Sequence, residues 1–513
     1  MKLLDDHFIA GIDCTSFIAG IFEMMISPLC LSRQKLGLAL LSITTSTATA
    51  TPAGTFVFST LSTLLATAAA SPHHPIHAAF TTTNTSTSRS RSSLRCSSQS
   101  LPEDYPNLNL ITTTLSAIRK AAKITTHLQP TTSTSQISGI TKTDTSPVTI
   151  GDFAAQAIIL HLLDTELGHE HDDGTNVFVA EESSKNLNQD LSIEILKVFE
   201  QVGLQGFIAN EEELKKSIDL GQTYDASSGE LLDSVQKKIQ MQNASASPSA
   251  KTRVWCLDPI DGTRGFLRGK RDGGQYCIAL ALIEDGEPIV GILACPNLPA
   301  DKNDENYAWG EDEHDGESQA GTESGMGKKR GCIFVASRGG GCFQLPLYAP
   351  SGDDRDTMGA ERVNVSKNGE GQFPLEEARF CIGVEKYGDP EGKVTAIAKK
   401  IHGRLDDDGE ILFTRRMDSQ VKYGVVARGG SEFITRLPKK EYHEWIWDHA
   451  AGRIVIEEAG GVQTDTEGAL IDYGLGAKMD KDVDGILISA GGIFHEALLN
   501  AYREQEEQRS PSS

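Results

Sequence analysis

The sequence holds no CxxC pair among its nine cysteines, which excludes a zinc ribbon and a thioredoxin-like motif. The thiols are scattered, so reduced and buried side chains are the expectation. One pairing stays open, because Cys332 and Cys342 flank the glycine-rich stretch SRGGG. Positive charge is also short. With 48 Lys and Arg against 71 Asp and Glu, the net charge is −23, which argues against a nucleic-acid partner. It leaves room for a small anionic substrate, because a bound metal reverses the local sign. No apolar run reaches the roughly 20 residues that span a bilayer as a helix. The runs LGLALL and FVFSTLSTLLATAAA are broken by Thr, Ser, Pro and Gly. No internal repeat is found, and a monomer with no membrane span is expected.

Two segments have lopsided charge. Residues 24–102 lack Asp and Glu entirely but carry Arg33, Lys35, Arg89, Arg91 and Arg95 among Ser, Thr and Ala. Basic, hydroxylated and acid-poor composition marks an organelle transit peptide, with a plastid favoured over a mitochondrion and the cytoplasm as the address if the leader does not act. A bipartite leader with a secretory-type core at 36–43, or a disordered tail, are the alternatives. Residues 1–23 carry four acids, so translation from Met24 or Met25 would restore a leader's composition. Residues 301–323 carry nine acids against Lys302 alone. A disordered surface insertion over about 301–328 is expected there, since the spacing is wrong for an EF-hand.

The rest reads as alternating helices and strands. Leu110, Thr114, Ala117, Ile118, Ala121 and Ile124 share one helical face. After Pro147 and Gly151, Asp152 stands at an N-cap position before the helical pattern Phe153, Ala157, Ile158, Leu162. VFVAEESS and RVWCLDP read as buried strands that end on carboxylates. YCIALALIEDGEPIVGILACP reads as a hairpin turning at EDGE, and CIFVASRGGGCFQL as a second. From about residue 375, RFCIGVE and YGVVARGG read as short strands, ILISAGG as a late strand and FHEALLNAY as a last helix. A helix from Asp448 stops at Gly460 and Gly461. The elements form two groups, which predicts an N-terminal α+β domain over 103–365 and a C-terminal α/β domain over 366–505 facing across a cleft. A leader at 1–102 and a tail at 506–513 flank them.

Acids recur at strand ends and helix starts: Asp152, Glu181 with Glu182, Asp258 with Asp261, and Asp448. One DxxD at a turn is ordinarily a cap and a solvated acid. The joint pattern is far more specific. In DPIDGT, Pro259 restricts its neighbour, so a turn can bring both aspartates to one side with the Ile260 carbonyl between them. An all-oxygen set without Cys or His favours magnesium, with manganese as substitute, over zinc. Gly262 and Gly265 allow close backbone approach, and a helix beginning at Thr263 would present N–H groups to an anion. The Thr263 hydroxyl can orient a water and Asp152 can take its proton, while two or three metal ions polarise a phosphate.

Taken together, SPVTIGDFAAQ, AEESS, WCLDPIDGTRGFLRG, ACPNLP and IWDHAAGRIVIEEAGG resemble the lithium-sensitive, magnesium-dependent phosphatases of the inositol monophosphatase superfamily. GFLRG, ACPNLP, DSQVKY at 418–423 and RLP at 436–438 resemble the 3′(2′),5′-bisphosphate nucleotidases within it. The resemblance covers about residues 103–505. It implies the two-domain α/β/α/β/α sandwich of the inositol monophosphatase and fructose-bisphosphatase fold, with metal in the first domain and nucleotide in the second. It also implies hydrolysis of the 3′-phosphate of adenosine 3′,5′-bisphosphate to AMP, and of 3′-phosphoadenylyl sulfate, as in sulfate assimilation. The implied metal ligands are Asp152, Glu181, Asp258, Ile260 through its carbonyl, Asp261 and Asp448. Asp152 and Thr263 are the implied catalytic pair. Gly262, Thr263, Ser419, Lys422, Arg436 and Asp448 are the implied substrate contacts; by residue type alone, Lys422 and Arg436 are ordinary surface cations. Two departures stand out: the insert Lys270–Gly273, and Tyr387 with Gly388 where the family carries a histidine on the nucleotide. The rival readings are an inositol polyphosphate 1-phosphatase or inositol monophosphatase, and a non-catalytic phosphonucleotide sensor.

Overall fold

The computed structural model describes residues 99–132, 150–167, 177–237, 253–304, 306–308, 330–366, 374–385, 391–440 and 442–509, with the strand pairs 46–50/56–60 and 140–141/147–148. Almost all of the leader, most of the acidic insertion, and Tyr387 with Gly388 lie outside the described residues. The chain divides into two compact units, Met1–Ser90 and Arg91–Ser513, and every candidate site residue lies in the second. In the first, only the antiparallel pair Ser46–Ala50 and Phe56–Thr60 is described.

Helices of the second unit are α1 (Leu108–Leu128), α2 (Ile150–Leu167), α3 (Gln189–Gln201), α4 (Glu211–Asp219), α5 (Thr263–Arg268), α6 (Lys393–His402), α7 (Val421–Ala427), α8 (Ala450–Glu458) and α9 (Ile493–Arg509). A seven-stranded sheet runs in sequence order through β1 (Val177–Ala180), β2 (Arg253–Asp261), β3 (Cys277–Glu284), β4 (Glu287–Pro299), β5 (Arg330–Ser337), β6 (Gly341–Pro346) and β7 (Glu361–Val363). Only its β1–β2 pair is parallel. Asp285 and Gly286 make the β3–β4 turn with φ of 51° and 82°. Both central residues at positive φ give a two-residue turn whose twist suits a hairpin.

β3 shows why two helical layers cover this sheet. All of its residues are buried, and they alternate between two cores. Ile278, Leu280 and Leu282 face a core shared with α1 and α2, while Cys277, Ala279, Ala281 and Ile283 face one shared with α7 and α8. The second face is mostly small, which lets α8 come close. A Cβ on Gly291 would stand 2.2 Å from an Ile454 methyl.

A second sheet, ordered β9–β8–β10–β12–β11, comprises β8 (Phe380–Ile382), β9 (Thr414–Arg416), β10 (Phe433–Arg436), β11 (Val462–Asp465) and β12 (Ile486–Ser489). β8 pairs in parallel with both neighbours, and the other pairs are antiparallel. α7 touches strands of both sheets, as does α8, and α9 packs on β12 and α6. The layers are therefore α1/α2, first sheet, α7/α8, second sheet and α6/α9, an α/β/α/β/α sandwich.

Some elements differ from the sequence expectation. YGVVARGG is not a strand: its first five residues close α7, and the apolar run is buried because the helix lies between two sheets. Asp152 is not an N-cap, since α2 starts at Ile150 and places Asp152 in its first turn. Asp448 closes a 3₁₀ turn, Ile446–Asp448, and the α-helix begins at Ala450. Cys332 and Cys342 are both unbonded, buried thiols. Cys342 opposes Ala336, four rungs from Cys332, so the two lie about 13 Å apart along the ladder, beyond disulfide reach. The packed chain also reaches to Gln99, whose carbonyl accepts from the N–H groups of Gly359 and Ala360.

Candidate active site

The carboxylates gather where β2 ends. In a regular strand, residues three apart face opposite ways. Here Asp258 opposes Ala279 and Asp261 opposes Cys277, so a bulge puts one extra residue into β2. The extra residue restores Asp261 to the side of Asp258. The Ile260 N–H donates to Asp258 Oδ1 at 3.1 Å, and the Thr263 hydroxyl donates to the Ile260 carbonyl at 3.4 Å. Gly262, at φ 88°, then turns the chain into α5. A Cβ there would lie 2.6 Å from that of Ser419, which itself has φ 70°. The DGT turn and the DSQVKY segment are thus pressed together.

Asp448 arrives from the other side, held by Gln420. The Gln420 backbone N–H donates to Asp261. Its side-chain amide donates to the Trp447 carbonyl at 2.8 Å and accepts from Gly452 N–H at 3.0 Å. One residue therefore fixes both Asp261 and the turn that carries Asp448. Carboxylate oxygens of Asp258, Asp261 and Asp448 all lie within 4.8 Å of one another. Asp152 and Glu181 complete the acidic group electrostatically, since both raise the Asp258 pKa and Glu181 raises that of Asp448. A second glutamine orders that side. Gln156, one turn beyond Asp152 on α2, donates to the Glu182 carbonyl at 2.7 Å and accepts from its N–H at 2.8 Å.

Burial first, and then mutual repulsion, pushes Asp258 and Asp448 well above the ordinary carboxylate range. Burial raises Asp261 too, opposed by the Lys422 charge and the Gln420 N–H. Such a set is unfavourable as bare anions and fits a divalent cation: the donors are all oxygen and close, with Asp258 buried and Asp261 and Asp448 half-buried.

The cluster opens into a cavity of about 480 Å³ whose wall includes Asp261, Asp448, Ser419, Lys422 and Arg436. Lys422 Nζ donates to the Ser419 carbonyl at 2.8 Å and has no carboxylate within ion-pair distance among the described residues. Arg264, also in the wall, likewise has no acidic partner among them. Arg268 of α5 pairs with Asp418 and, at 3.2 Å, with Glu385. The wall thus brings Asp261 and Asp448 together with two cations, Lys422 and Arg264, that have no acidic partner among the described residues.

The family model described as the inositol monophosphatase family matches residues 107–507. The chain belongs to the inositol monophosphatase family. Among its similar proteins is a 3′(2′),5′-bisphosphate nucleotidase of Emericella nidulans, 35% identical over 362 residues, covering 70% of this chain and 88% of that one. A 3′(2′),5′-bisphosphate nucleotidase of Schizosaccharomyces pombe is 33% identical over 387 residues, covering 75% and 92%. A solved IMPase of Thermotoga maritima is similar at 17% identity and a TM-score of 0.44, covering 78% of this chain and 99% of that one.

Within this family member, the expected residues converge except where the structure is silent. Asp258, Asp261 and Asp448 meet directly, Asp152 and Glu181 stand beside them, and Ile260, Gly262 and Thr263 line the same turn. Ser419, Lys422 and Arg436 share the cavity. Gln420 and Gln156 were not singled out by sequence. Gln420 sits inside DSQVKY, and Gln156 lies four residues after Asp152, on the same helical face. The insert Lys270–Gly273 docks on the segment that follows α1, with Lys270 and Arg271 N–H groups donating to the Pro130 and Thr131 carbonyls at 3.1 and 2.8 Å.

Proposed function

We propose that this chain is a metal-dependent phosphomonoesterase that removes the 3′-phosphate of adenosine 3′,5′-bisphosphate to give AMP, and treats 3′-phosphoadenylyl sulfate in the same way. The observation that carries the reading is one cavity holding both the carboxylate cluster and the cations Lys422 and Arg436. A substrate with a single phosphate uses only the acidic end. One with a second phosphate also meets Lys422 and Arg436, whose donors suit phosphate oxygens. The nucleotidase names of the relatives support the same class.

Asp152, Glu181, Asp258, the Ile260 carbonyl, Asp261 and Asp448 would hold two or three magnesium ions, or manganese, which supply charge to the phosphoryl oxygens and the leaving oxygen when bound. The Thr263 hydroxyl orients the attacking water, and Asp152 accepts its proton. Gly262 lets backbone N–H groups at the start of α5 approach the transferred phosphate. Lys422 and Arg436 anchor the second phosphate and fix the ribose for in-line attack. Lithium inhibition belongs to the same reading.

The test is phosphate release by the full chain from adenosine 3′,5′-bisphosphate, inositol 1,4-bisphosphate and inositol 1-phosphate, with magnesium and with added lithium. The nucleotide is expected to have the highest kcat/KM, and preference for either inositol phosphate would overturn the assignment. Asp261→Ala is expected to remove magnesium-dependent release by about 10³-fold or more. Near-normal turnover would take Asp261 out of the site.

A further inference from the structure

An arginine that binds phosphate gains nothing in charge from a carboxylate beside it, yet Arg436 has one. Glu444 accepts from Arg436 Nε at 2.7 Å and from Nη2 at 3.4 Å. Glu444 is 3% exposed and the Arg436 side chain 46% exposed, so the acid is the fixed member and the cation the accessible one. The side-on pair occupies Nε and Nη2. Nη1 has no partner among the described residues, and Arg436 and Glu444 both line the cavity. Glu444 is itself anchored. Its backbone carbonyl accepts from Met479 N–H at 2.8 Å, and its carboxylate lies 3.5 Å from His449 Nε2. The other nitrogen of His449 meets the Tyr423 hydroxyl at 2.7 Å, on the helix that carries Lys422. Contacts therefore run from Arg436 through Glu444 and His449 to Tyr423, the neighbour of Lys422 on α7.

We infer that Glu444 is a specificity-determining positioning residue: it spends the Arg436 charge at long range to hold the guanidinium with Nη1 toward the substrate's second phosphate. This rests on the phosphonucleotide reading of the cavity. A free arginine would attract any anion and sample many rotamers. A clamped one offers directional donors to a phosphate at one distance from the acidic cluster, so bisphosphates are favoured over monophosphates. Glu444 touches no reacting atom; its charge also helps to raise the Asp448 carboxyl, so its role toward the second phosphate is read in KM rather than in kcat.

The experiment compares adenosine 3′,5′-bisphosphate with adenosine 3′-monophosphate for the unaltered chain, Glu444→Gln, Glu444→Asp and Arg436→Met. Glu444→Gln is expected to raise KM for the bisphosphate about 10-fold or more, with kcat changed less than about threefold, the size of one weakened charge-assisted contact. Its bisphosphate-over-monophosphate preference should fall by about 10-fold. Glu444→Asp, with charge but shorter reach, should fall between. In the Arg436→Met background, Glu444→Gln should add less than about threefold. Equal losses on both substrates, a kcat-only loss, or full additivity with Arg436→Met would assign Glu444 a merely structural role and overturn the inference. Monophosphate turnover reports that each variant is folded. If the unaltered chain does not prefer the bisphosphate, the site reading fails and takes this inference with it; if it does and Glu444→Gln keeps the preference, this inference alone fails.

Discussion

Gly262 is the residue on which the site turns. Its φ of 88° suits glycine, and a methyl group would strike the Ser419 Cβ at 2.6 Å, in a place where Ser419 is itself in the left-handed region. Gly262→Ala is expected to cost about 1–2 kcal/mol from backbone strain alone, with the clash adding to it. Because the turn also sets Thr263 against the Ile260 carbonyl, kcat should fall about 10²-fold even where the protein remains folded. Denaturant melts and phosphate release on the same sample separate the two effects, and unchanged activity would mean that the turn does not position Thr263. The acids, glycine and threonine of this turn were legible in DPIDGT. Gln420 was not, because a glutamine has no distinctive chemistry until its amide is seen bridging Asp261 and Trp447.

Helices α7 and α8 decide the geometry at the next scale, because each lies between the two sheets. Close approach depends on small groups: a Cβ on Gly452 would stand 2.5 Å from the Tyr423 ring, and one on Gly291 would meet the Ala451 carbonyl at 2.7 Å. Gly291→Val is expected to destabilise the protein by about 1–3 kcal/mol, as other overpacked cores are. It should also reduce turnover, since α8 follows directly on Asp448 and would be pushed from β4. Wild-type melting and turnover together would show that the layer can yield. The misreading of YGVVARGG belongs to this scale too. A seven-residue helix buried at every position except Lys422 carries no 3.6-residue polarity pattern, so its apolar run is indistinguishable from a strand. The β3–β4 hairpin was legible because Asp–Gly specifies a turn locally, whatever surrounds it.

For the whole molecule, clustered acids make stability depend on pH and on metal. Asp258, Asp261 and Asp448 have folded pKa values raised above the unfolded value of about 4. Between that value and the raised ones, the metal-free folded chain holds more protons than the unfolded chain. Stability is then greatest at or below about pH 4 as far as these groups decide it, and is lost as pH rises through the window. Asp448→Asn removes one repelling charge and should raise the melting temperature of the EDTA-treated chain at pH 7.5 by a few degrees, about 1–2 kcal/mol. The same variant should shrink the magnesium-induced rise in melting temperature, because stabilisation follows affinity. A lower metal-free melting temperature for Asp448→Asn would contradict the electrostatic account.

The sequence by itself determined the family, the acidic motif, the catalytic threonine candidate and the local turns, because each resides in a few neighbouring residues with distinctive chemistry. Lys422 and Arg436 were implied by the family resemblance, but by residue type alone they are ordinary surface cations, and their place beside the acids is a matter of tertiary structure. Lys422 and Arg436 lie more than 150 positions beyond Asp261 along the chain, and only the packing of the second sheet and its helices brings them to the same cavity. Glu444 shows the same division: in sequence it is one acid among many, and its place beside His449 and Arg436, which hold its carboxyl down at about 2 against the upward push of burial, is a property of the folded layers alone.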